Sequence, residues 1–239
     1  MGKAPLPSEF QGLPTVGSEK MREVDMKATM DYGIPAERLM ENAGKAIAEE
    51  ILHICVPFLV PSSSLLVPVI CCGRGNNGGD GLVTARYLKE AGVNSEVFII
   101  KKEFGDLVTL NLKRAEEKGI KVKFIDNDLA PLEKALSACS IAVDCLLGTG
   151  FAGKPEGVLK KVIQSVNKSL KPIIAVDVPS GINPDTGHHT GVYIIAKWTL
   201  TLGLAKKGLL APHAQPNVGE LKVLDIGFPK ELVDQCRLD

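Results

Sequence analysis

The stretch Leu65-Leu66-Val67-Pro68-Val69-Ile70-Cys71-Cys72-Gly73-Arg74-Gly75-Asn76-Asn77-Gly78-Gly79-Asp80-Gly81 runs from an unbroken apolar segment into a glycine-rich loop. An apolar run without alternation reads as a strand buried on both faces, the pattern of a parallel sheet covered by helices. Behind the loop, Leu82, Ala85, Leu88 and Ala91 recur at helical spacing, and Gly92 marks the stop. Strand, glycine loop and helix in that order form the opening half of a βαβ unit. The spacing Gly73-x-Gly75-x-x-Gly78 matches the dinucleotide fingerprint, in which glycines let phosphate approach the backbone and the helix N-terminus attracts its charge.

Working outward, the alternation repeats. Val97–Ile100, Val122–Ile125, Ile141–Asp144 and Ile173–Asp177 read as strands. Residues 106–118, 129–138 and 156–168 read as the helices between them, and Trp198–Leu202 and Leu221–Ile226 as two last strands. Before the loop, Ser18 is expected to cap a helix through Met21, Val24 and Ala28. Pro35 is expected at the first position of a second helix carrying Leu39, Ala43, Ile47 and Ile51. The prediction is an α/β protein: one three-layer αβα sandwich with a mostly parallel sheet, over residues 15–239. Residues 1–14, with three prolines, form a loose N-terminal extension.

Composition bounds the function. The 239 residues carry 28 Lys+Arg and 28 Asp+Glu, so the formal net charge is zero and no extended basic face for nucleic acid is expected. Hydrophobic residues make up 45%, enough for one large core, and aromatics only 5%, so that core is aliphatic. Six cysteines at 55, 71, 72, 139, 145 and 236 lack zinc or redox spacing and read as buried, reduced thiols of an intracellular protein. Cys71 and Cys72 should point to opposite faces of one strand. The opening residues carry no signal-peptide core. Prolines at 57, 61 and 68 break the apolar stretch Ile51–Cys72, which is expected to hold a helix end, a loop and a strand rather than a membrane span.

Ligands of open α/β sheets bind beyond the carboxyl ends of the strands. Three such ends carry glycine loops: Gly73–Gly81, then Asp144-Cys145-Leu146-Leu147-Gly148-Thr149-Gly150-Phe151, then Asp177-Val178-Pro179-Ser180-Gly181. Asp144 and Asp177 each close an Ala-Val-Asp strand. Carboxylates with Asn and Ser oxygens suit a hard cation, and a buried Asp equally suits proton transfer. His188-His189 and His213 read as solvated loop, and Cys145 as a packing thiol. Lys206-Lys207 reads as surface charge or as a phosphate contact. A nicotinamide dehydrogenase would want an acid after the second strand, where Lys101-Lys102-Glu103 stands instead.

These motifs in order, with Leu39-Met40-Glu41-Asn42-Ala43-Gly44, Lys207-Gly208 and Asp225-Ile226-Gly227 added, resemble the NAD(P)H-hydrate epimerase family over about residues 15–230. The resemblance implies a Rossmann-like fold and a repair activity that interconverts the R and S forms of hydrated NADH and NADPH. By similarity, Asn76, Asn77, Gly78, Gly79 and Asp80 line the substrate site. Gly148, Thr149, Gly150, Phe151, Ala152, Gly153 and Lys154 hold its phosphates or sugar, and Asp177 contacts the substrate. Asn77, Asp144 and Ser180 give oxygens to one potassium ion per subunit. Asp177 is the expected acid–base catalyst. The loop departs from the family at Arg74, where proline is usual. The resemblance further implies a cytoplasmic homodimer, with no nucleic-acid or membrane partner, working beside a separate dehydratase, since no dehydratase is expected within the chain. The competing expectation is a non-catalytic nucleotide-binding or scaffolding module of the same fold, which would have no need to keep Asn77, Asp144 and Asp177 together.

Overall fold

A computed structural model describes residues 6–55, 66–100, 103–189 and 191–237. Seven parallel strands form one sheet in the order β5-β4-β3-β6-β7-β8-β9. They are β3 (Pro68–Cys72), β4 (Glu96–Ile100), β5 (Val122–Ile125), β6 (Ile141–Cys145), β7 (Ile173–Val176), β8 (Trp198–Leu202) and β9 (Glu220–Leu224). The chain winds outward through β4 and β5, returns to β6 on the other side of β3, and continues to β9. Connections therefore diverge between β3 and β6, opening a crevice above their carboxyl ends.

Helices α1 (Ser18–Met30), α2 (Ala36–Cys55), α3 (Asn76–Glu90), α4 (Asp106–Glu117) and α8 (Lys230–Gln235) bury residues such as Met21, Ile47, Leu88, Val108 and Leu232 with Ile70 and Cys72 of β3. Helices α5 (Ala130–Ala138) and α6 (Gly157–Lys168) cover the opposite face, where Leu132, Leu136 and Val162 meet Val69 and Cys71. Cys71 and Cys72 thus do face opposite layers, and all six cysteines are buried. A third cluster joins Val178, Ile182, Leu209 and Val218 of α7 (Gln215–Val218) beside the sheet.

Three local expectations change. Ser18 does not cap α1. Gly17 holds that position, and Asp185 takes the Ser18 N–H at 2.5 Å and its hydroxyl at 2.7 Å, so a distant carboxylate does the capping. Pro35 sits one residue before α2, where its carbonyl accepts from Arg38 and Leu39. The described part of the N-terminal extension is packed rather than loose: β1 (Glu9–Phe10) pairs with β2 (Leu13–Pro14), and Leu6 and Phe10 join the third cluster. Of the stretch Ile51–Cys72, residues 56–65 lie outside the described residues. α2 ends at Cys55, β3 begins at Pro68, and no described helix is long and apolar enough to cross a membrane.

The crossing of α2 and α3 sets how deeply the glycine loop sits. A Cβ on Gly44 would lie 2.3 Å from Val83 Cγ1 and 2.9 Å from the Thr84 backbone nitrogen. Gly44→Ala should therefore lose about 1–3 kcal/mol from overpacking, more than the ~1 kcal/mol that alanine gains in helix propensity. Chemical denaturation reads this out, and an unchanged midpoint would show that the helices have room to part.

Candidate active site

β3 ends against the first turn of α3. Four of the five glycines there are required by contact rather than by backbone angle: none of Gly73, Gly75, Gly78, Gly79 and Gly81 has positive φ, and Gly75 alone has open space where a Cβ would stand. A Cβ on Gly73 would stand 1.8 Å from the Leu146 carbonyl oxygen, and one on Gly78 1.9 Å from the Gly73 carbonyl oxygen. One on Gly81 would press on Cys72 and Cys145. The loop is backbone packed on backbone, and it brings the α3 N-terminus to the crevice. Arg74, Gly75 and Asn76 are its exposed residues, and Asn77 through Gly81 are buried.

The two strand-end acids play different parts. Asp144 is fully buried in β6. Its Oδ1 accepts from the Ser180 hydroxyl at 2.7 Å and the Leu146 N–H at 3.1 Å, and its Oδ2 accepts from the Ser180 N–H at 2.8 Å. Burial raises its pKa to about 6, against the pull of those donors. Asp144 thereby ties the loop after β7 to the loop after β6. Ser180 Oγ accepts from the Leu147 N–H at 2.9 Å, while the Leu147 carbonyl accepts from Asn77 Nδ2 at 2.8 Å. Asn77 Nδ2 also reaches the Val176 carbonyl at 3.2 Å. With its amino group committed, Asn77 Oδ1 is left buried without a hydrogen-bond partner. An orphaned acceptor of this kind is costly unless something positive meets it. An amide oxygen, a hydroxyl and one carboxylate form a hard, singly charged donor set that fits a monovalent cation. No cluster of three or more His, Cys, Asp or Glu able to hold a metal occurs among the described residues.

Asp177 falls just past β7 rather than within it, in the left-handed region at φ +67°. A non-glycine residue there costs energy that its surroundings must supply. They do: its N–H bonds the Leu200 carbonyl at 2.8 Å, Oδ2 accepts from the Thr149 N–H at 2.9 Å and hydroxyl at 2.5 Å, and Oδ1 meets Lys206 Nζ at 2.5 Å. Lys206 is 1% exposed and spends its other two protons on Thr201 Oγ1 at 3.1 Å and the Leu202 carbonyl at 2.8 Å. Burial alone would raise the Asp177 pKa, but Lys206 and Thr149 overcome it and hold the carboxyl below its ordinary value. Of the pair Lys206-Lys207, one residue is a buried counter-charge and the other is exposed, a division the sequence could not make.

These groups line or underlie one cleft of about 1040 Å³. Of the expected substrate residues, Asn76, Asn77, Asp80, Gly148, Thr149, Gly150, Phe151, Lys154 and Asp177 line it. Gly78 and Gly79 are buried in the first turn of α3 behind it, and Ala152 and Gly153 lie exposed at its margin, outside the lining. Asp144 and Ser180 sit beneath the floor, 0% and 1% exposed. Sequence reasoning missed the wall formed by α1, which contributes Met21, Arg22 and Asp25. Cys145 is buried with its pKa pushed well up by burial, as befits packing rather than nucleophilic attack. His188 and His213 stack on each other 4.0 Å apart in an exposed loop, and His189 leans on Tyr193. Glu103 is exposed, and Lys101 and Lys102 lie outside the described residues.

Comparison with known proteins agrees with this geometry. The family model described as "YjeF-related protein N-terminus" matches residues 36–208. An NAD(P)H-hydrate epimerase from Elusimicrobium minutum is 42% identical over 226 residues, covering 93% of this chain and 100% of that one. One from Rhodopirellula baltica is 37% identical, covering 93% and 88%. A bifunctional NAD(P)H-hydrate repair enzyme from Thermofilum pendens is 39% identical, and the chain spans 41% of its length. The crystal structure of yeast ynu0, YNL200c, superposes with a TM-score of 0.81 at 25% identity, covering 94% of this chain and 93% of that one. The chain belongs to the YjeF-related N-terminal family, alongside the NAD(P)H-hydrate epimerases.

Proposed function

We propose that the protein is an NAD(P)H-hydrate epimerase, an isomerase that interconverts the R and S hydrates of NADH and NADPH. One observation carries the reading: a single cleft gathers the glycine loop, the Thr149 loop and an ionised Asp177 held by a buried Lys206. The exposed part of the glycine loop and the α3 N-terminus receive phosphate, with Lys154 adding charge from the far wall. The reacting centre is the substrate carbon bearing the added hydroxyl, bonded to the ring nitrogen. Inverting it requires a proton to leave that hydroxyl and later return. Asp177, anionic and fixed by three hydrogen bonds, takes this proton.

Asn77, Asp144 and Ser180 are the residues that would hold a potassium ion, which supplies positive charge for orienting the substrate. The orphaned Asn77 Oδ1 supports that reading. Cytoplasmic location, a homodimer and a separate dehydratase that consumes the S hydrate complete the proposal.

The decisive test gives the protein purified R hydrate and follows the S form by chromatography. Acceleration over the spontaneous rate is expected, and none would return the chain to a non-catalytic nucleotide-binding module. Asp177→Asn should lower kcat by about 10²–10⁴-fold, with a thermal melt run alongside because the change leaves Lys206 buried without its anion. Normal turnover by that variant would remove Asp177 from the mechanism. Replacing potassium by choline should slow the wild type, and Ser180→Ala should raise the potassium concentration needed for half-maximal rate. A rate indifferent to the cation in both proteins would dismiss the ion site.

A further inference from the structure

Asp177 meets three donors, and they differ in what they can do with a proton. Lys206 Nζ reaches Oδ1 at 2.5 Å, the Thr149 N–H reaches Oδ2 at 2.9 Å, and the Thr149 hydroxyl reaches the same Oδ2 at 2.5 Å. An ammonium only donates, and so does a backbone N–H. A hydroxyl gives one proton and keeps lone pairs with which to accept another. The other charged groups lining the cleft are Arg22, Asp25, Arg74, Asp80, Lys154 and Glu156, and none of these hydrogen-bonds the Asp177 carboxylate.

The surroundings leave the carboxylate little freedom to meet a substrate directly. Asp177 is 8% exposed and Lys206 1%. Backbone bonds fix the lysine. Just before α1, the Val16 N–H donates to the Ala205 carbonyl at 2.9 Å and the Lys207 N–H donates to the Val16 carbonyl at 2.9 Å, a parallel bridge that brackets Lys206. Oδ1 therefore stays turned toward a buried cation that cannot give up its anion without a large cost. On the other side, the two lone pairs of Oδ2 are taken up by the N–H and the hydroxyl of Thr149. Gly148 lets the loop come this close, since a Cβ there would stand 2.9 Å from Asp177 Oδ2 and 3.3 Å from Asn77 Cβ. Thr149 itself is only partly buried and lines the cleft.

We propose that Thr149 is the relay through which the substrate hydroxyl proton reaches Asp177. The assignment rests on the epimerase reading, and it gives a part in the chemistry to a residue expected from the sequence to hold phosphate or sugar. In the forward step the substrate O–H bond breaks and its proton bonds to Thr149 Oγ1, while the proton that Thr149 held passes to Asp177 Oδ2. The electron pair left on the substrate oxygen forms a carbonyl as the bond from that carbon to the ring nitrogen breaks. The pair of that bond goes to nitrogen, where it is delocalised into the conjugated carboxamide. The opened chain turns, nitrogen attacks the other face of the carbonyl, and Asp177 returns its proton through Thr149 to the new alkoxide. No oxidant or reductant enters, nothing is released, and Thr149 ends the turnover with one proton, as it began.

Geometry and charge agree with this route. The hydroxyl lies within the range of an O–H···O⁻ bond, so its own proton needs no further approach to reach the carboxylate. Burial opposes ionisation of Asp177, but Lys206 and Thr149 outweigh it, so the carboxylate waits as an anion. A direct transfer to Oδ2 would first have to displace the Thr149 hydroxyl, whereas a relay uses the hydrogen bond as it stands.

The test compares wild type, Thr149→Val and Thr149→Ser over a pH series of kcat for R-to-S conversion. Valine keeps the N–H bond to Asp177 and removes only the hydroxyl. Thr149→Val should lower kcat by about 10²-fold with KM little changed, and Thr149→Ser should restore most of the rate. The deficit should persist above the acid limb, where Asp177 is ionised in both proteins. A deficit that closes as pH rises, the mark of a hydroxyl that only holds down the carboxyl pKa, or a loss confined to KM, would overturn the relay. In mixtures of H2O and D2O the wild-type kcat should fall along a bowed curve, because two protons move together; a straight or flat line would overturn the relay as well. Carboxyl ¹³C NMR of aspartate-labelled resting protein gives a readout that needs no turnover. The Asp177 resonance should titrate at higher pH in Thr149→Val than in wild type or Thr149→Ser, because the anion loses a donor. If all three titrate alike the hydroxyl does not hold the carboxylate, and the relay falls even in an active enzyme; if the shift occurs but wild type has no epimerase activity, the epimerase reading fails and takes the relay with it.

Discussion

A lysine ammonium at 1% exposure is the constraint around which this site is arranged. Bringing a charge out of water costs several kcal/mol, and only close, well-aligned partners return it. The chain meets the cost by bending: β8 ends so that the Leu202 carbonyl and Thr201 hydroxyl face Lys206, and Asp177 adopts a left-handed backbone that sets its carboxylate on the same ammonium. Thr149 then fixes the other carboxylate oxygen, so the loop after β6 is positioned by the same charge. Three strand ends are held in register by one cation.

The fold was legible because short apolar runs rich in β-branched residues alternate with amphipathic helical stretches and glycine loops. Runs such as Ile141–Asp144 and Ile173–Asp177 read as strands from their apolar stretch, and the structure places strands there, Ile141–Cys145 and Ile173–Val176, each ending one residue away from the expected bound. Helix starts were less legible. Ser18 has the chemistry of a cap, yet a carboxylate far along the chain outcompetes it. The two strand-end acids were readable from their equivalent positions, but not their different surroundings. Asp144 and Asp177 share the local sequence Ala-Val-Asp, and one is a structural staple while the other faces the cleft only because different residues lie opposite. Lys206 was hidden by its neighbour Lys207, and Asp25 by a helix whose polar face looks solvated in one dimension.

The glycines show a related limit. Asn-Gly and Gly-Gly pairs ordinarily signal left-handed turns. Here no glycine of the loop has a left-handed backbone; Gly73 and Gly78 are needed because another main chain lies where a side chain would be, Gly79 and Gly81 because neighbouring side chains do, and Gly75 has open space. Arg74 is exposed, so the loop keeps its packing around it.

The bridge between Val16 and the Lys206 segment also has a bearing on how the molecule is made. It joins the first part of the chain to nearly the last, and contacts so distant in sequence close late. As the polypeptide is synthesised, α1 emerges early but has no backbone partner until β8 and the residues after it exist. Asp177 likewise precedes the lysine that neutralises it. The cleft is therefore completed late, when β8 and the residues after it are laid down and α1 docks onto them. Until then the nascent protein holds a sheet and a glycine loop but lacks the wall that α1 gives the cleft.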